Sequence, residues 1–155
     1  MSKLKEADFY YGAILSHLFT NGICPMMIEG GSDRQVYEFT TNQEDFKLFA
    51  KYRSMPIVTL QDGYSSWQFS FSPSDISELK TYIGDAKHLS VGLVCGNEPL
   101  NKSEIAILHK EEISEILALG KESLTISRKE GERAFRISIG GGREQAMQIK
   151  CNRKY

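Results

Sequence analysis

Hydrophobic positions along this chain keep two rhythms, one of three and four residues and one of two, and the switches between them divide the sequence into elements. Leu4, Ala7, Tyr11, Ile14, Leu15 and Leu18 recur at helical spacing, with Asn21-Gly22 as a stop signal, so a first helix is predicted. Glu6 and Asp8 lie in its first turn, where carboxylates complement the helix dipole. Residues 23–28 read as a strand, Gly30-Gly31-Ser32-Asp33 as a turn, and residues 35–41 as the returning strand of a hairpin. After the polar connection Asn42-Gln43-Glu44-Asp45, residues 46–53 alternate. Phe46, Leu48, Ala50 and Tyr52 share one face; Lys47, Phe49, Lys51 and Arg53 share the other. A third strand is predicted, although Phe46, Phe49 and Ala50 also fit helical spacing.

Met55-Pro56 interrupts the pattern, residues 57–60 resume an extended run, and Asp62-Gly63-Tyr64-Ser65 turns it into a strand with Trp67, Phe69 and Phe71 on one face. Ser72-Pro73-Ser74-Asp75 is a helix entry, with Ser72 placed to cap and proline at the first helical position. Ile76, Leu79 and Ile83 then form a stripe ended by Gly84. Residues 89–95 are apolar almost throughout, as suits a strand in mid-sheet covered on both faces. A strand at 104–108, a short helix at 111–119 and extended pieces at 123–127, 134–139 and 145–151 follow. The expected fold is a single α+β domain over residues 1–155: a mixed, twisted β-sheet, an N-terminal helix, a second packed helix, and a β-rich C-terminal part.

Composition narrows the function classes. Apolar residues make up 41% and charged residues 25% of the 155, as in ordinary globular domains. Nineteen basic against twenty acidic residues give a net charge of -1, so no bulk positive field argues for nucleic-acid binding. Cys24, Cys95 and Cys151 have no ligand or disulfide spacing and are expected to be reduced thiols. Residues 1–12 hold no apolar core before a small-residue cleavage site and no apolar run reaches membrane length, so a cytoplasmic protein is expected.

The order helix, three meandering strands, further extended segments, helix and buried strand, over residues 4–96, resembles the core of the PD-(D/E)xK nuclease-like superfamily. In that family an acid near the second strand and an acid-any-lysine triplet on the third hold a divalent metal and orient the attacking water. The third strand here carries Phe49-Ala50-Lys51, matching the lysine and not the acid. The resemblance implies Glu29, Asp33 and Glu38 as candidate metal ligands, with Mg²⁺ as cofactor, and Lys51 as the cation steadying the nucleophile. A cross-strand Glu38/Lys51 pair on a solvated face is the plainer reading of the same residues.

Lys47, Lys51 and Arg53, with Phe49 between them and Tyr52 beside them, form a basic-aromatic cluster suited to phosphates and a stacked base. Arg143, Lys150, Arg153 and Lys154 form a second basic concentration of solvated type. Gly140-Gly141-Gly142 lacks P-loop spacing and reads as a β connection. His17, His88 and His109 are dispersed and read as structural, as does Cys95 at a strand end. The expectation is a binding or regulatory protein without cofactor, using exposed Trp67, Tyr64, Tyr52 and the basic cluster to contact a protein partner or nucleic acid, or pairing with its own copy. A metal-dependent nuclease is the alternative.

Overall fold

The computed structural model describes residues 3–41, 44–59, 63–85, 88–142 and 145–155. Helix α1 spans Glu6–Thr20, and its first turn is held by Asp8, whose carboxylate accepts the Lys5 backbone N–H at 2.7 Å. Its buried stripe is Ala7, Tyr10, Tyr11, Ile14 and Leu18. Leu4, expected to open that stripe, lies ahead of the helix and is exposed.

Strands β1 (Met26–Glu29), β2 (Gln35–Thr41) and β3 (Glu44–Arg53) form an antiparallel meander. Period-2 alternation gives β3 two buried faces. Leu48 and Ala50 meet α1 together with Tyr37 and Phe39 of β2, while Phe49 and Val36 enter the opposite core. Full burial of Val36, Leu48 and Phe49 contributes about 1.5–3 kcal/mol each. The chain then passes through β4 (Val58–Thr59), β5 (Tyr64–Ser70) and helix α2 (Pro73–Asp85) to β6 (His88–Cys95), which lies parallel to β3 from Phe46/His88 to Arg53/Cys95. Strand β7 (Glu104–His109) adds antiparallel to β6, and helix α3 (Lys110–Ala118) follows. Strands β8 (Ser123–Lys129), β9 (Ala134–Ile137) and β10 (Met147–Lys150) complete the chain.

These strands make two five-stranded sheets, β1-β2-β3-β6-β7 and β10-β9-β8-β5-β4, where the hydrophobic pattern suggested one. The α+β class stands. The reason for two sheets lies in β5. Its apolar face, Trp67 and Phe69, continued by Phe71, packs against Phe49, Val91, Leu93 and Cys95 of the first sheet, so the sheets stack face to face. Trp67 is 3% exposed and Tyr64 is also buried, so the interaction surface expected of them does not exist. Cys24, Cys95 and Cys151 are unpaired thiols, and no helix among the described residues is long and apolar enough to cross a membrane. The connection residues Asn42 and Gln43, Leu60, Asp62 and Arg143 fall outside the described residues.

Two devices lock the ends of this arrangement. At the C-terminal ends of β3 and β6, the Gly96 N–H donates to the Arg53 carbonyl at 2.7 Å, and the Gly96 carbonyl accepts the Trp67 indole N–H at 2.8 Å. Residues 151–155 cross back over β7: Arg153 pairs with Glu112, and the Tyr155 ring packs into the α1 core, its hydroxyl 3.0 Å from His17 Nδ1. A β-carbon on Gly96 would sit 2.4 Å from the Ser54 carbonyl oxygen and 2.5 Å from that of Arg53. Gly96→Ala is therefore expected to cost more than about 2 kcal/mol in urea unfolding, whereas Gly12→Ala, with open space around it, should be neutral or stabilising.

Candidate functional site

A groove of about 890 Å³ opens at the C-terminal end of β3. It is walled by the hairpin loop 30–33, Glu6 of α1, residues 52–55 at and just beyond the end of β3, the end of β5 and the first turn of α2. Its floor is an ion cluster centred on Asp75, which is 4% exposed.

Local sequence chemistry puts Asp75 there. Ser72 caps α2 and Pro73 occupies the first helical position, so the third helical residue turns back on the cap. The Asp75 N–H donates to Ser72 Oγ at 3.0 Å, and Asp75 Oδ2 accepts the Ser72 N–H at 2.9 Å. The same carboxylate accepts Lys51 Nζ at 2.7 Å and Arg34 Nη1 at 2.7 Å. Arg34 also donates to Glu29 from Nε and Nη2, at 3.0 and 2.8 Å, and reaches Glu78 at 2.9 Å. The guanidinium stands over Phe49, 5.7 Å from its ring centre, and the Lys51 ammonium lies 5.4 Å from that of Phe71. Burial alone would raise the Asp75 pKa. The Lys51 ammonium, the Ser72 N–H and the Arg34 guanidinium outweigh that effect and hold it below the usual 3.8.

Register decides the expected pairs. Glu38 faces Lys47 and Val36 faces Phe49, so Glu38 does share a face with Lys51, but the Glu38 carboxylate meets Lys47 at 3.3 Å. Lys47 also lies over the Tyr82 ring at 4.2 Å and is not part of the groove lining. Of the expected basic cluster, only Lys51 and Arg53 line the groove, and of the two only Arg53 is exposed. Tyr52 lines it as well, stacked on Tyr10 at 4.9 Å. Burial and the Glu6 carboxylate, which accepts its hydrogen bond, raise the pKa of its phenol.

Glu29 and Asp33 belong to the groove, while Glu38 stands apart from it. Glu29 is committed to Arg34, and among the described residues no group of three or more His, Cys, Asp or Glu could hold a metal ion. The donor set therefore does not suit Mg²⁺, which needs carboxylate oxygens free of competing cations. Phe49, two residues before Lys51, is fully buried between the sheets. Burial pushes the Cys95 thiol well above its ordinary value, as expected of a packing residue and not a nucleophile. His88 stacks on Phe46, and His109 Nε2 lies 2.7 Å from the Lys154 carbonyl oxygen. Gly140 and Gly141 take positive φ in a β connection.

Sequence reasoning missed Arg34, Asp75 and Glu78. The available signals were the acid at the third helical position after a Ser-Pro entry, and the Asp75/Glu78 spacing of three. Comparison with protein-family models, curated proteins and solved structures finds no match.

Because the folded pKa of Asp75 is depressed, its stabilisation is complete above pH 3.8 and is lost as pH falls through the lower folded value. Asp75→Asn should cost about 3 kcal/mol at neutral pH, since the largely buried Lys51 loses its counter-ion and Arg34 loses one of three. It should also flatten the fall in stability below about pH 4. Chemical denaturation across a pH series checks both, and parallel profiles for wild type and variant would contradict the assignment.

Proposed function

We propose that this chain is a non-catalytic binding protein that engages a protein partner through the groove at the end of β3. The observation carrying this reading is the commitment of Lys51 to Asp75. A lysine that serves phosphoryl chemistry must face the reacting phosphate or its water. Here it neutralises a buried helix-capping carboxylate at 2.7 Å, with an aromatic core residue in the place of the metal-binding acid.

The charge of the groove does not suit a phosphate backbone as ligand. Glu6, Glu29, Asp33 and Asp75 line the groove against Arg34, Lys51 and Arg53, so its charge is mixed and mostly compensated internally. The groups left facing outward are Arg53, Asp33 and Glu6, with Met55 as an apolar contact. Such a lining fits a polypeptide segment that presents both a carboxylate and a cation.

A second reading, a metal-dependent phosphodiesterase of PD-(D/E)xK type, draws on one observation: Glu29, Asp33, Asp75 and Lys51 share a single groove beside the parallel β3/β6 pair. One set of assays separates the two. Incubated with plasmid and single-stranded DNA and Mg²⁺ or Mn²⁺, the protein should leave both intact, and it should not retard either at low salt. Cleavage that disappears in Lys51→Ala, or a salt-dependent shift that disappears in Arg53→Ala, would overturn the protein-partner reading.

A further inference from the structure

We propose that β1 is a dimerisation edge, occupied in solution by β1 of a second copy running antiparallel to it. An edge strand leaves a row of backbone N–H and C=O groups facing outward, and folded proteins guard such rows with brevity, charge or cover. Three of the four edges follow that rule. Strand β4 has two residues among those described, and β10 exposes Gln148 and Lys150. Strand β7 is crossed by the chain itself, with Arg153 Nη1 3.5 Å from the Ile107 carbonyl oxygen and His109 held by the Lys154 carbonyl.

Strand β1 is different. Met26, Met27 and Ile28 are 62%, 49% and 40% exposed, and no lysine or proline lies within the strand. Tyr37 and Glu38, which stand opposite Met27 and Met26 on β2, face opposite sides of the sheet, so the exposed apolar groups of β1 do too. An added strand would gain contacts above and below as well as along its backbone.

The edge is also compatible with itself. Its only charge, Glu29, is already neutralised by Arg34 at 2.8 Å, so two copies meet without like-charge repulsion. In an antiparallel pair centred on Met27, Met27 stands opposite Met27 of the second copy and Met26 opposite its Ile28. Apolar side chains then face apolar ones, and no acid faces an acid. This pairing is isologous and consumes the edge of both copies. With the other edges guarded, assembly stops at two. The register shift between Met27 and Glu29 limits the number of ladder bonds, which makes the dimer a weak one.

Sedimentation equilibrium of the whole chain should show a monomer–dimer equilibrium with a midpoint on the order of 10 µM. Ile28→Lys and Met27→Lys should each raise that midpoint at least about tenfold with unchanged circular dichroism, Met27→Lys by setting like charges opposite one another and Ile28→Lys by setting an ammonium against Met26. Leu119→Lys, at an exposed apolar position on the end of α3, should leave it unaltered. Hydrogen exchange at residues 26–29 should slow as concentration rises, a readout that needs no variant. Wild type that stays monomeric at several hundred micromolar would leave the edge to a different partner and overturn the proposal. So would a dimer indifferent to both β1 lysines, a dimer broken by Leu119→Lys, or exchange at residues 26–29 that does not change with concentration.

Discussion

The Asp75 carboxylate is the point through which the rest of the molecule is referenced. It closes the first turn of α2, neutralises the cation that ends the buried part of β3, and fixes the arginine that leads into β2. Three segments distant in sequence meet on two oxygen atoms. A buried ion pair seldom adds net stability over a well-packed apolar substitute, because desolvation offsets the attraction. Its value lies in orientation. The hairpin loop and α2 hold one relation to the sheet because Arg34 and Asp75 join them in a shared network with Lys51, Glu29 and Glu78.

That same carboxylate explains why the groove resembles an active site while its charged groups are largely paired with one another. Acids, a lysine and aromatic rings crowd together because they solve a packing problem at the mouth of a two-sheet core. Phe49 and Phe71 supply flat apolar surfaces under the Arg34 and Lys51 cations, and the acids supply their counter-charges. Catalytic groups need some part of their bonding capacity left over for substrate. Here most of that capacity is taken up within the protein.

Much of the framework was legible in the sequence because it rests on local chemistry. Strict alternation from Phe46 to Arg53 identified β3 and assigned its faces, and Ser72-Pro73 marked the α2 entry to the residue. What stayed hidden depends on partners far along the chain. The alternation of Trp67 and Phe69 showed that β5 has a face to bury, but not that a second sheet, and not solvent or a helix, would cover it. The cap at Ser72 was visible, whereas the pairing of Asp75 with Lys51 and Arg34, 24 and 41 residues away, was not. Register likewise sent Glu38 to Lys47, a choice that periodicity alone does not make.

The strap formed by residues 151–155 bears on how the fold is reached. Tyr155 supplies part of the wall against which α1 packs, and its hydroxyl meets His17 across a separation of 138 residues. The opening helix can form early, since its own turns are local, but the apolar pocket that receives it is incomplete until residue 155 has been delivered. Such distant closure slows the search for the native state. Until the chain reaches residue 155, one wall of the α1 site stays open, although Tyr37, Phe39, Leu48 and Ala50 are already available to cover the rest.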